Sequence, residues 1–246
     1  MEEKETIGTP EEITISVAEA EEYRAFKKQK QIAEAKATMA RVEAEGAVRA
    51  LTLTELKKIC DGAKRTGLSA VRIYPTLLAS AKAFLVGSTV KCDCVVGGMG
   101  ETTTKVKRYE CKQVRRLGAG EITLVLSPSM LKSGRTGEVK KEIKKVVKAA
   151  KKSIVKVVAE GEWQKSELIK LAKTLSVVGA KFLSVKYFVG VETLKGELGD
   201  CCMLEVTGVV DFSDFKTLIK GGVERICTAV YEEIYALLMK EAELVS

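Results

Sequence analysis

No histidine occurs among the 246 residues of this chain, and that absence shapes every chemical reading of it. Without imidazole there is no Ser-His or Cys-His nucleophile, no imidazole base and no histidine-held metal. Catalysis must then rest on Lys, Asp, Glu, Tyr, Cys or backbone groups. Seven cysteines, at positions 60, 92, 94, 111, 201, 202 and 227, are odd in number and scattered, which predicts reduced thiols in a cytosolic compartment. Cys92 and Cys94 do not match the spacing of closed zinc loops and read as small apolar fillers of a barrel layer, so no metal and no cofactor are expected. The loop Gly97-Gly-Met-Gly100 lacks the G-K-[ST] ending of a phosphate loop and reads as a turn after a strand.

Charge narrows the partners. A net charge of +8 raises nucleic acid and phosphorylated small molecules. The lysine-rich run 140–152 places Ile143, Val146, Val147 and Ala150 on one stripe, which predicts a solvated helix. Neither stacking aromatics nor a binding motif accompanies it, so nucleic acid is not the expected partner. A phosphorylated small molecule remains.

Those residues need elements to hold them. The chain has room for one large domain or two small ones, and 46% hydrophobic with 30% charged residues is ordinary globular composition. No window is apolar enough to span a bilayer. The acidic start, with Glu2, Glu3 and Glu5, predicts neither a signal nor a transit peptide, hence a cytoplasmic protein. Residues 1–22 carry eight glutamates against one lysine and read as an acidic arm. A helix of thin apolar stripe is expected from about Val17 to Glu45, needing a partner surface. Beyond it helices and short apolar runs alternate: 70–74, 89–96, 121–126, 154–159, 180–188, 201–206 and 225–228, with a possible first strand near 46–52. Short apolar strands separated by helices predict a parallel sheet covered on both sides. Seven or eight of them without a G-x-G-x-x-G favour an α/β TIM (β/α)8 barrel over residues 51–246, with residues 1–50 as an N-terminal helical extension. In such a barrel the site lies on loops at the strands' C-terminal ends.

The order of motifs then carries a resemblance. Ser69-Ala-Val-Arg-Ile-Tyr-Pro75, Val95-Val-Gly-Gly-Met-Gly100, Gly118-Ala-Gly-Glu-Ile122, Leu131-Lys-Ser-Gly134, Val155-Lys-Val-Val-Ala-Glu160 and Gly179-Ala-Lys-Phe-Leu183 follow one another as in deoxyribose-phosphate aldolases. The chain resembles that family over about residues 52–232. The resemblance implies a class I aldolase: a strand-six lysine forms an imine with an aldehyde, a strand-seven lysine lowers its pKa, and a strand-four aspartate moves protons. Counted from Gly179, the imine position is Ser184; counted back from Gly190, it is Lys186, and residues two apart share a strand face. The strand-seven lysine is replaced by Glu205 and the aspartate by Thr123, while Lys156 matches a lysine of the family's pocket and Arg72 stands before Ile-Tyr-Pro. An anion at Glu205 would raise the pKa of a neighbouring amine, the reverse of activation.

Phosphate and substrate contacts implied by the resemblance fall on Arg72, Ser184, Gly190, Thr207, Gly208 and Thr228, and catalytic ones on Lys186, Lys156 and Glu205. The expected function is a carbon–carbon lyase of Schiff-base type acting on a phosphorylated sugar or aldehyde. The alternative is a catalytically degenerate barrel serving as a ligand-binding, scaffold or assembly component. A homo-oligomer is expected, with the N-terminal helix as a docking element for a protein partner.

Overall fold

Each apolar run of the barrel region contains a charged or hydroxyl residue flanked by apolar ones, and the strand's period of two sorts the side chains to opposite faces. The computed structural model describes residues 17–159 and 161–244. The chain begins with α1 (Val17–Met39), β1 (Val42–Glu45), α2 (Leu53–Thr66) and β2 (Ala70–Ile73). A 3₁₀ turn leads into α3 (Leu78–Phe84), followed by β3 (Lys91–Val96), α4 (Thr104–Leu117), β4 (Glu121–Val125), α5 (Pro128–Lys132) and α6 (Thr136–Ala150). The second half adds β5 (Ile154–Val158), α7 (Lys165–Val178), β6 (Phe182–Lys186), α8 (Glu192–Leu198) and β7 (Met203–Thr207). It ends with α9 (Phe212–Lys220), β8 (Arg225–Thr228) and α10 (Tyr231–Glu243). All eight strands pair in parallel and in chain order, and β8 closes on β1. This is the expected TIM barrel.

The outward face of the strands is apolar. Val42, Val71, Cys92, Cys94, Ile122, Leu124, Val155, Leu183, Leu204 and Ile226 are all buried within the single large core. Cys92 and Cys94 therefore flank Asp93 on the helix side of the sheet and do not fill an interior layer. The inward face carries Glu43, Arg72, Asp93, Glu121, Thr123, Lys156, Ser184 and Glu205, where barrels of this class ordinarily stack branched apolar residues.

The first strand corrects the sequence reading. Val-Glu-Ala-Glu at 42–45 lies inside the segment read as helix, because Ala and Glu are good helix formers and four residues show too little periodicity to decide. Pairing decides it: Glu43 is in register with Ala70 of β2 and Cys227 of β8. The barrel thus begins at residue 42, not 51, and the stretch 46–52 is a loop, not a strand. The cap of α2 is Thr52: its hydroxyl accepts from Glu55 N at 3.2 Å while Glu55 Oε2 accepts from Thr52 N at 2.8 Å.

The N-terminal helix packs along α10, burying Ala35 and Met39 and leaving Tyr23 and Phe26 exposed. Removing residues 1–45 would delete β1 and open the barrel, so a truncation that leaves the barrel intact must stop short of Met39. Most of the acidic arm, residues 1–16, lies outside the described residues. No helix among the described residues is long and apolar enough to cross a membrane.

Candidate active site

At the middle of the barrel the inward charges form one cluster. Lys156 Nζ is fully buried, with Asp93 Oδ2 at 2.9 Å, Glu205 Oε2 at 3.0 Å, Glu121 Oε2 at 3.2 Å and Glu43 Oε2 in close contact. Arg72 spreads over the same acids: its Nε lies 2.9 Å from Asp93 Oδ2 and 3.3 Å from Glu43 Oε1, and its Nη2 donates to Glu205 Oε1. Two hydroxyls complete the cluster. Thr123 Oγ1 donates to Asp93 Oδ2 and Ser184 Oγ to Glu205 Oε1, each at 2.6 Å. Beneath, Arg225 Nη1 lies 3.2 Å from Glu121 Oε2 and 3.4 Å from Glu43 Oε2, with its guanidinium over the Phe182 ring.

Burial and charge pull these groups in opposite directions. Burial pushes the Glu205 carboxyl up, but Arg72 and Lys156 outweigh it and hold it down at about 2. Burial also pushes Asp93 up, and the same two cations hold it far below the usual carboxylate range. Glu43 goes the other way: burial raises it well above 4.5, and the cations offset only part of that. For Lys156, burial favours the neutral amine, yet Asp93, Glu205 and Glu43 prevail and raise its pKa well above 10.5. It is an ammonium ion locked by acids, not a nucleophile.

Above this cluster opens a cavity of about 990 Å³ at the strands' C-terminal ends. Arg72, Thr123 and Cys227 face its floor, and Trp163, Leu168, Phe188, Val209 and Val210 are among its walls. Lys186 stands on the inner face of β6, two residues beyond Ser184 and paired with Thr207. A Cβ added at Gly208 would meet Lys186 Cγ at 3.9 Å, so the lysine stem passes beside the β7 turn, where φ of +76° suits glycine. Tyr187 lines the same rim; its hydrogen bond to Asp214 raises its pKa.

The residues singled out from the sequence thus separate into two levels. Lys156, Glu205, Ser184 and Arg72 do converge, but in the sealed cluster, with only Arg72 of these lining the cavity. Glu205 takes Arg72 and Lys156 as its cations rather than Lys186, contrary to the pairing expected from the sequence. Lys186, Thr207, Gly208 and Thr228 line the cavity, whereas Gly190 is not part of the lining. Thr228 Oγ1 donates to Val209 O and accepts from Val230 N at 3.1 Å.

Glu43, Asp93, Glu121 and Arg225 escaped notice as a group. Their signal is a charge set within otherwise apolar runs such as Cys92-Asp-Cys94 and Arg225-Ile-Cys227, which is anomalous for strands buried on both faces. No group of three or more Cys, Asp or Glu among the described residues is arranged to hold a metal ion.

Comparison with known proteins agrees with this architecture. Residues 27–229 match the family model of DeoC/LacD family aldolases. The chain is 33% identical over 189 residues to a deoxyribose-phosphate aldolase of Caldanaerobacter subterraneus subsp. tengcongensis, spanning 71% of this chain and 82% of that protein. It is 35% identical over 187 residues to the Clostridium novyi deoxyribose-phosphate aldolase, spanning 71% and 84%. Among solved structures, the aldolase QR15 superposes with a TM-score of 0.79 at 21% identity, covering 85% of this chain and 99% of that one. The tetrameric deoxyribose phosphate aldolase of Aeropyrum pernix gives 0.70 at 18% identity, covering 90% and 97%. Family model, relatives and barrel coincide over the strands that build the cavity, and this chain belongs to the DeoC/LacD family of aldolases.

Proposed function

We propose that this barrel is a Schiff-base lyase of the aldolase type whose imine forms on Lys186. The observation that carries the reading is position: among the described residues Lys186 is the lysine that lines the cavity, while Lys156 is sealed beneath it as a fully paired ammonium. In the proposed step the neutral Nζ attacks a carbonyl carbon, a C–N bond forms, and the carbonyl oxygen leaves as water after taking up two protons. The resulting iminium draws electrons from the adjacent carbon–carbon bond and allows its cleavage or formation. Borohydride trapping with acetaldehyde, read by peptide mass spectrometry, tests this. Labelling confined to Lys186 and lost in Lys186→Ala supports the reading; no label, or label unchanged in that variant, overturns it.

A second reading is favoured by the cluster itself. Thr123, Ser184 and Glu205, which the family resemblance matches to proton-transfer and amine positions, are spent on holding Asp93, Arg72 and Lys156. A barrel so committed serves as a ligand-binding or assembly component. Binding of a carbonyl compound without turnover would distinguish it. The Aeropyrum pernix relative is a tetramer, and a homo-oligomer is carried over to this chain as part of the proposal, with exposed Tyr23 and Phe26 of α1 as its docking residues. Light scattering of the full chain and of a form lacking residues 1–30 checks it.

A further inference from the structure

The charge of this chain is unevenly spread. Residues 1–22 hold eight of its 33 acids and one of its 41 basic residues, so the remainder carries 40 cations against 25 acids. Much of that excess stands on one flank. α4 and α6 pack side by side, burying Cys111 and Val114 of one and Ile143 and Val146 of the other. The opposite face of the pair carries Arg108, Lys112 and Arg116, four apart on α4, and Lys140, Lys144 and Lys148, four apart on α6. Lys112 is half-buried and the other five are exposed. A spacing of four puts each set on one stripe, and like charges so placed destabilise the helix that bears them.

Neither stripe is neutralised within the barrel. The three acids of α4 and α6 are committed elsewhere: Glu142 to buried Lys107 at 2.7 Å, Glu138 to Arg135, and Glu110 to Gly97 N at 2.8 Å. Among the described residues no ion pair engages any of the six cations, whereas Lys57 and Lys64 of α2 share Asp61 and Lys216 of α9 has Glu241. One exposed ring, Tyr109, accompanies the stripes, too few to stack the successive bases of a nucleic acid. The chain itself holds the complement in its acidic arm, where Glu2, Glu3, Glu5, Glu11 and Glu12 outnumber Lys4.

The arm leaves from the other side of the barrel. α1 lies on α10 at the seam of β8 and β1, while α4 and α6 follow β3 and β4. Residues 21–30 of α1 are exposed on every face, so this half of the helix stands clear of its own barrel. The residues before Val17 span at most about 55 Å when fully extended, so a contact within one chain would draw the arm taut across the barrel, whereas a neighbouring copy meets it without that loss of freedom.

We propose that the α4–α6 flank binds the acidic N-terminal arm of a second copy of this chain. The contact joins different surfaces of the two copies, head to tail, and repeats as a ring or an open row. Carboxylates of the arm relieve the repulsion along each stripe, and the contact weakens as salt shortens the range of charge. It rests on the homo-oligomer reading, which it deepens, and is independent of the imine.

Light scattering of the full-length protein over a range of concentrations tests it. Three forms are compared: the wild type, a flank form carrying Arg108→Gln, Lys112→Gln, Arg116→Gln, Lys140→Gln, Lys144→Gln and Lys148→Gln, and an arm form carrying Glu2→Gln, Glu3→Gln, Glu5→Gln, Glu11→Gln and Glu12→Gln, both with unchanged circular dichroism. At about 0.01 M salt, where the Debye length is about 30 Å, the wild type is expected to gain mass with concentration and each altered form to lose that gain. At about 1 M salt, with a Debye length of about 3 Å, the wild type is expected to lose it too. An equimolar mixture of the two altered forms should regain a mass above either alone, because each supplies the half that the other lacks. A mixture that gains nothing overturns the proposal. So does association that persists in both altered forms and at high salt, which leaves the homo-oligomer reading standing on Tyr23 and Phe26. A wild type whose mass rises with an added oligonucleotide but is indifferent to loss of the arm charges gives the flank to nucleic acid and overturns it as well.

Discussion

Two lysines on inner faces of the same barrel have opposite fates. Lys156 sits at mid-depth with four acids around its ammonium and no exposure; Lys186 sits one strand over and one layer higher, exposed at a cavity. The difference is depth. Near the mouth an amine keeps access to water and to a ligand, whereas mid-barrel an ammonium survives only if acids replace its hydration shell. Each such acid then needs its own cation or proton. That requirement explains why Arg72 and Arg225 accompany Lys156, and why replacing one member affects the rest.

Breaking the lower level should have the largest effect. Lys156→Met leaves Glu43, Asp93, Glu121 and Glu205 short of a shared cation and is expected to cost about 3–5 kcal/mol, whereas Lys186→Ala should stay within about 0.5 kcal/mol. Urea denaturation of both variants checks the contrast; equal losses would erase the distinction between the two lysines.

Acid should find the same weak point. Glu205 is held at about 2, below its ordinary 4.5, so its contribution is present above pH 4.5 and is lost as pH falls toward 2. The expected loss from this one carboxyl is on the order of 2–3 kcal/mol. Glu205→Gln, although less stable at pH 7, should show a shallower fall over that window in denaturation curves taken at stepped pH. Alkali acts oppositely on Lys156: its raised pKa keeps its contribution intact below 10.5 and removes it only as pH climbs through the raised value.

The smallest effect belongs to the boundary between levels. Thr123→Val removes one hydrogen bond to Asp93 Oδ2, which Arg72 and Lys156 still contact, and should cost about 1 kcal/mol. Thermal unfolding reads it, and a loss several times larger would mean that the hydroxyl, not the cations, fixes the aspartate.

Period and punctuation in the residue order were enough to determine the barrel. Alternation of apolar runs with helices, Gly67 and Gly118 ending α2 and α4 in left-handed conformation, and ordered motifs left few other folds open. They also placed Ser184 and Lys186 on one strand face. Tertiary structure alone decided that Val42–Glu45 is a strand, because four residues of good helix formers become one only through hydrogen bonds to β2 and β8. It alone decided which lysine faces a cavity. Glu43, Arg72, Asp93, Lys156 and Glu205 come from five separate strands, and their pairing depends on barrel register and depth, quantities that arise when the sheet closes and that no local spacing encodes.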